Sequence, residues 1–503
     1  MILKSLLRWL ARSLLALVSA LLLVGLAFYA HFLWSGPELK PWHKVRLTAE
    51  FTADDYERGD VTTLRQYLAR ERQVLDQVST EVYGKVAEHD RLPFNRYAPG
   101  SLSDPGVWET NWNHTFILEP RGTPLGGVLL LHGLTDSPYS MRSLGLALAE
   151  RGMRVIGLRL PGHGTAPAGL LAFEVEDLEA ATRLAMRDLR SSLADGQPLY
   201  VAGYSNGAAL AVSYALDARA DATLPRPSGL VLISPAIGIT RLAAIGRIRT
   251  GLSDLQGFGR AAWQVIEGEV DPYKYQSFSF HAAGQTQRLT SGLSRRIERL
   301  AAQGPVRGLP PILAFLSTVD STVRAGAVVD SLLGRLAAEG HELVLFDVNR
   351  LAVVQPMLVA DPAPLTQRLL AQAQRPFALS LVTNANPRTL QAEERRVPAG
   401  GTQATVRPLG LAWPRNVFSL SHVALPFPPD DPLYGYEAVR SATHIQLGSI
   451  EVRGENGVLN VPNWMLTRQR SNPFHRYLIE RIEDFVLPST DATAAPQVVQ
   501  AAP

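Results

Sequence analysis

The least polar part of the chain is its beginning. Lys4, Arg8 and Arg12 precede an uncharged, mostly apolar run from Ser13 to Trp34, long enough to span a bilayer. A cleavable export signal has a shorter apolar core ending in a small-x-small site, whereas this run continues through Phe28, Tyr29, Phe32 and Trp34. The pattern predicts an uncleaved signal anchor over residues 1–34, a single-pass transmembrane helix. By the positive-inside rule its basic tip stays in the cytoplasm. The bulk of the chain is then on the non-cytoplasmic side, facing the periplasm in a bacterium. Residues 35–110 read as a linker followed by a helical extension, because Leu64, Tyr67, Leu68, Val74, Leu75 and Val78 recur at helical spacing within Thr62–Val86.

Beyond residue 110 short β-branched runs alternate with amphipathic stretches, the signature of βαβ units. Strands are expected at His114–Leu118, Gly127–Leu131, Arg154–Leu160, Leu199–Ala202, Gly229–Ile233 and Pro311–Ser317. Helices are expected at Ser140–Arg151, Val175–Leu193, Gly207–Asp217, Thr322–Glu339 and Pro473–Val486. Such alternation predicts an α/β class domain with a mostly parallel central sheet flanked by helices. Its core pieces are 111–236, 309–348 and 416–487. Residues 237–308 are too long for an ordinary connection and carry Phe258, Trp263, Tyr273, Tyr275, Phe278 and Phe280, so an inserted cap is expected there. Residues 349–415 form a second insertion that mixes strand-like pieces such as Phe377–Val382 with Pro- and Gly-rich connections, and 488–503, rich in Ala, Pro, Ser, Thr and Gln, a disordered tail.

Composition narrows the function. Hydrophobic residues at 46% and charged residues at 19% describe a chain able to bury a core. Forty-nine Lys plus Arg against 46 Asp plus Glu, with no basic run interleaved with aromatics, argue against nucleic acid as a partner. The absence of cysteine excludes disulfides, a thiol nucleophile and thiolate metal sites.

The candidate chemistry centres on Ser205. A serine hydroxyl needs a base and an exposed geometry to act as a nucleophile. In Leu199–Leu210 an apolar strand runs into a helix-forming stretch through Gly203-Tyr204-Ser205-Asn206-Gly207, the spacing of a strained strand-turn-helix elbow. The oxyanion that attack creates needs donors already in place. The backbone N–H of Asn206 is one candidate, and that of Leu134, in the loop His132-Gly133-Leu134-Thr135-Asp136 after a buried-type strand, is the other. His132 and Asp136 precede the nucleophile and read as braces for that loop.

The His132-Gly133 loop, the Leu160-Pro161-Gly162-His163-Gly164 turn and the Gly203–Gly207 elbow, in this order, resemble the serine α/β-hydrolases related to monoacylglycerol lipases and bacterial carboxylesterases. The resemblance covers about residues 114–235 and returns near Asp320 and His422. It implies the α/β-hydrolase fold and an acid and a base following the nucleophile in that order. Asp320, in Asp320-Ser321-Thr322-Val323, is similar to the family's acid, with a helix-capping role as the plain alternative and Asp347 as a rival. Of the histidines after it, His341, His422, His444 and His475, the Ser421-His422-Val423 context resembles that of the base. The long separation from Asp320 requires the second insertion to return the chain to the site.

What the resemblance implies is a serine hydrolase cleaving carboxylic esters through an acyl-enzyme, with no metal or cofactor. An anchor and an aromatic cap favour an ester with an apolar acyl chain, such as a monoacylglycerol or lysophospholipid. Acyl transfer to another acceptor would use the same residues, and a non-catalytic interaction protein is the third class. Arg241, Arg247 and Arg249 in the cap read as an exposed helical face rather than a phosphate site.

Overall fold

A strand buried at every position needs cover on both faces, and the centre of this protein is built of such strands. The computed structural model describes residues 2–237, 259–359, 361–448, 452–455, 458–459 and 466–487. Its main sheet comprises β1 (Phe116–Leu118), β2 (Gly126–Leu131), β3 (Met153–Leu158), β4 (Leu199–Tyr204), β5 (Gly229–Ile233), β8 (Ile312–Ser317), β9 (Glu342–Phe346), β10 (Ala378–Asn384), β11 (Gln391–Val397) and β12 (Thr405–Ala412). The order is β1-β3-β2-β4-β5-β8-β9-β10-β11-β12. Neighbours from β3 through β10 run parallel, while β1, β11 and β12 pair antiparallel at the edges. The mostly parallel sheet expected from the sequence is therefore present, in the arrangement of an α/β-hydrolase fold. Two small ladders accompany it, β6 (Trp263–Val265) with β7 (Phe278–Ser279), and β13 (Val452–Gly454) with β14 (Leu466–Arg468).

Side-chain alternation divides each central strand between two helical layers. Leu129, Leu131, Val201, Leu230 and Leu232 belong to a core shared with α6 (Val175–Ser191), α7 (Asn206–Ala220) and α8 (Phe280–Ala301). Val128, Leu130, Tyr200, Ala202 and Val231 face α5 (Arg142–Glu150) and α11 (His475–Val486) through Leu144, Leu148, Leu478 and Ile482. Each fully buried aliphatic side chain contributes roughly 1.5–3 kcal/mol.

Two expectations change here. Part of the segment expected as a cap is a core helix: α8 contributes Leu289, Leu293 and Ile297 to the first layer, and Arg296 Nη2 reaches Asp217 Oδ1 of α7 at 2.7 Å. Arg241, Arg247, Arg249 and Phe258 lie outside the described residues, as does the tail 488–503. The second insertion extends the sheet. A crossover containing α10 (Ala363–Ala371) leads to β10, and β11 and β12 then fold back along it. Charges make β11 unlike the other strands, but they are matched. Arg396 and Arg481 meet Glu342 at 2.8 and 2.7 Å, and Arg407 and Arg481 meet Glu394 at 2.9 and 2.7 Å.

Residues 35–110, expected to open as a linker, are packed. Helices α2 (Pro41–Lys44) and α4 (Leu64–Glu81) carry the buried residues Trp42, Leu64, Tyr67, Val74 and Val78, α3 (Ala53–Glu57) buries Asp55, and Thr52 and Thr63 close capping boxes at the starts of α3 and α4. The anchorage is ionic as well as apolar. Arg159, whose side chain is fully buried, meets Glu50 at 2.7 Å and Glu71 at 3.3 Å, and Glu50 also accepts the Gly162 N–H. The chain begins in α1 (Ile2–Ser35), where Leu14, Leu15, Leu17, Val18 and Leu21 to Val24 are exposed. Side chains of α1 are described continuously only over 12–25, and among the described residues no helix is long and apolar enough to cross a membrane.

Removing Glu50 leaves the buried Arg159 only Glu71 as a counter-charge, and breaking a buried ion pair costs up to about 3 kcal/mol where another anion remains. Glu50→Ala should lower stability by that order, read as a lower urea midpoint. An unchanged midpoint would show that the extension is not anchored through Arg159.

Candidate active site

Between β4 and α7 the backbone turns through Ser205 at φ 53° and ψ −114°, a conformation that costs an L-residue on the order of 1–3 kcal/mol. Hydrogen bonds hold it there. The Ser205 N–H donates to Ile233 O at 2.9 Å, and its carbonyl accepts from Ala208 N at 3.1 Å and Ala236 N at 3.0 Å. The flanking glycines have steric reasons. A Cβ at Gly203 would lie 2.4 Å from Gly207 O, and one at Gly207 only 2.1 Å from Leu131 O.

The neighbouring strand supplies the facing loop. Leu131 of β2 pairs with Gly203 of β4, so the His132–Leu134 loop and the Ser205–Asn206 turn leave the sheet side by side. Asn206 opens α7, where an N–H has no intrahelical acceptor and the helix end carries partial positive charge. Among the described residues no backbone carbonyl takes up the N–H of Leu134. His132 braces this loop as expected of it: its ring accepts the Leu160 N–H at Nε2 (3.0 Å) and its Nδ1 faces Gly133 O at 2.9 Å. Asp136 is paired with Lys274 Nζ at 2.8 Å.

Ser205, Asp320 and His422 come together. His422 Nε2 lies 2.9 Å from Ser205 Oγ, and His422 Nδ1 lies 2.7 Å from Asp320 Oδ2. Asp320 follows β8, and its other oxygen accepts the N–H groups of Thr322 and Val323, both at 2.8 Å. It therefore organises the turn leading to α9 (Ala325–Ser331), a shorter helix than the expected Thr322–Glu339, and faces the imidazole with its second oxygen. Asp347, at the end of β9, is occupied by Arg350 at 2.8 Å and the Thr383 hydroxyl at 3.0 Å.

The chain returns to the site through a staple at the end of β9. After β10–β12, Asn349 donates its N–H to Phe418 O at 2.8 Å and its side-chain amide to Val417 O at 3.2 Å, a few residues before His422. The His422 backbone N–H then donates to Glu455 Oε2 at 3.1 Å, and Glu455 is ion-paired with Arg468 at 3.3 Å. Glu455 was not anticipated. A lone carboxylate beside a short strand carries no local sign of a partner so distant in sequence.

The other histidines are engaged elsewhere. His341 Nδ1 accepts the Ile312 N–H at 3.2 Å, His444 packs at a tilt against Trp108 and bonds Ser441 Oγ at 2.8 Å, and His475 is buried at the start of α11. Burial lowers the imidazoles of His43, His163 and His475 to about 4 and that of His132 well below its ordinary value. Among the described residues no cluster of His, Asp or Glu is arranged to hold a metal ion. A cleft of about 270 Å³ is lined by Val423, the residue after His422, and by Asp136, Lys274, Phe427, Tyr434 and Arg470 among others. A larger cavity, about 370 Å³ between residues 37–43, 90–95 and 266–270, shares no lining residue with it; adjacency to His422 makes the smaller cleft the substrate candidate.

Residues 122–306 match the family model described as serine aminopeptidase, S33, a span that includes the elbow and ends before Asp320. A thermostable monoacylglycerol lipase of Bacillus sp. (strain H-257) is 28% identical over 246 residues, 46% of this chain and 87% of that lipase. Among solved structures, a monoacylglycerol lipase of Paleococcus ferrophilus is 19% identical, covering 46% of this chain and 88% of its own, with a TM-score of 0.34. A soluble variant of the monoglyceride lipase of Saccharomyces cerevisiae is 15% identical, covering 46% and 81%, with a TM-score of 0.36.

A histidine held near 4 when folded, against an ordinary 6.5, takes up its proton first in the unfolded chain. Its neutral burial therefore supports the fold fully above about pH 6.5 and less as pH falls towards 4. Buried carboxyls such as Asp271 and Asp431, pushed up by desolvation, act in the opposite direction. His475→Asn isolates the histidine part. Between pH 6 and 4.5 the stability of the wild type should fall more steeply than that of the variant, by up to about 1.4 kcal/mol per pH unit. Parallel urea-midpoint profiles would contradict this.

Proposed function

We propose, from the premise that the chain belongs to the serine α/β-hydrolases, that it cleaves carboxylic esters through an acyl-enzyme on Ser205. The observation that carries this reading is the hydrogen-bonded run from Ser205 Oγ through both nitrogens of His422 to Asp320. His422 takes the hydroxyl proton at Nε2 as Ser205 attacks the carbonyl carbon, and Asp320 fixes the tautomer and stabilises the imidazolium. The N–H groups of Leu134 and Asn206 receive the oxyanion; one such donor is typically worth about 2.7–4 kcal/mol. The carbon–oxygen bond of the ester breaks, and the alcohol leaves with the proton from Nε2. Water then attacks the acyl-enzyme, giving its proton to His422, which returns it to Ser205 as the acid departs.

An ester with an apolar acyl chain is the substrate in this reading, such as a monoacylglycerol or a lysophospholipid. The similarity to the Bacillus monoacylglycerol lipase supports it. The apolar side chains exposed along α1, behind the basic residues of its first turns, support a membrane anchor with the hydrolase on the non-cytoplasmic side.

A fluorophosphonate probe should label the wild type and not Ser205→Ala, and p-nitrophenyl ester turnover should vanish in that variant. Asp320→Asn should lose on the order of 10⁴-fold in kcat, the cost of a misplaced tautomer. Equal labelling of wild type and Ser205→Ala would overturn the nucleophile. The full-length protein should also stay in the membrane pellet after carbonate extraction, and its release would remove the anchor.

A further inference from the structure

The cleft beside His422 is lined by three cations in unequal circumstances. Lys274 Nζ is neutralised by Asp136 at 2.8 Å. Arg468 is neutralised by Glu455 at 3.3 Å, and its Nη2 also donates to Thr322 Oγ1 at 3.2 Å. Arg470, half-buried in the same wall, has neither a hydrogen bond nor an ion pair among the described residues, and acts on Asp271 only through space. Asp271 is otherwise engaged. Its Oδ2 accepts from the Tyr434 hydroxyl at 2.6 Å and its Oδ1 from the Tyr273 N–H at 3.0 Å, and burial raises the pKa of its carboxyl.

A half-buried guanidinium without a close anion is costly unless a ligand supplies one. Phosphate and carboxylate match its planar fork of donors, and a partly desolvated pairing of this kind is stronger than one in bulk water. The position of the cleft says which half of the ester would carry the charge. Val423 follows His422, and the Glu455 that grips the His422 backbone is the partner of Arg468, so the cleft lies on the side of the imidazole. That imidazole hands its proton to the departing alcohol.

We propose that the cleft selects esters whose alcohol half bears an anionic group, with Arg470 as its receptor and Phe427 and Tyr434 covering the apolar part of that half. This deepens the ester-hydrolase reading and rests on it. Lys274 and Arg468 act as the fixed, already neutralised frame.

The test uses the full-length protein with soluble substrates of one acyl chain, butyryl glycerol and butyryl glycerol 3-phosphate, beside p-nitrophenyl butyrate. In the wild type kcat/KM should favour the phosphate-bearing ester by about tenfold or more, carried mainly by KM, and the preference should shrink as salt is raised. R470Q should remove most of the preference and R470K should keep part of it. Because the readout is the ratio between two substrates on one preparation, a general loss of folded enzyme cancels. Equal kcat/KM for the two esters in the wild type, or a preference that survives R470Q, would overturn the proposal while p-nitrophenyl butyrate is still turned over. Failure to hydrolyse any of the three would instead overturn the ester-hydrolase reading.

Discussion

No side chain fits at position 207. The first turn of α7 lies so close to the end of β2 that a Cβ there would sit 2.1 Å from Leu131 O and 2.5 Å from His132 O, and that approach fixes the rest of the site. It sets the amino end of α7 against the loop after β2, so the N–H groups of Asn206 and Leu134 leave two adjacent strands in register. It also forces the chain through a positive φ at Ser205, lifting the hydroxyl clear of the sheet. The strain is offset by bonds to Ile233, Ala208 and Ala236, which tie the turn to the next strand and to its own helix.

The acid and base reach this turn by different routes. Asp320 needs only the end of β8, two strands away. His422 arrives after α10 and three further strands, a detour compatible with the fold because loop-closure entropy grows slowly with length and the added strands bury backbone and side chains of their own. What matters is that the detour ends where it began. Asn349 at the end of β9 grips residues 417 and 418, so the base emerges from the strand end next to that of the acid, whatever lies between.

What could be read from the sequence was local. The runs that became β2, β4, β5 and β8 are apolar throughout, the glycines around Ser205 sit two residues away on either side, and Asp320 and His422 each lie in short recognisable surroundings. Features that depend on distant partners left no such trace. Glu393 to Arg396 look unsuited to a strand until Glu342, Arg407, Tyr477 and Arg481 are set around them. Residues 280–301 read only as part of a cap, and the layer that α8 joins depends on partners in α7 and the sheet. Glu50 resembles any linker glutamate, and only the folded chain brings it to the buried Arg159.

The strand ends at Asp320 and Asp347 show why position alone does not make a carboxylate a partner for histidine. Both are buried and both end neighbouring strands. Asp347 meets a guanidinium and a hydroxyl, which use its oxygens and tie its charge to Arg350. Asp320 meets two backbone N–H groups on one oxygen, which stabilise negative charge without bringing a cation, and its second oxygen is left for the imidazole. A cation there would compete with the imidazolium that proton transfer creates, weakening the base when it is needed. Amides in place of a guanidinium keep the charge of Asp320 available, and that difference in partners, more than the sequence separation from His422, distinguishes the two carboxylates.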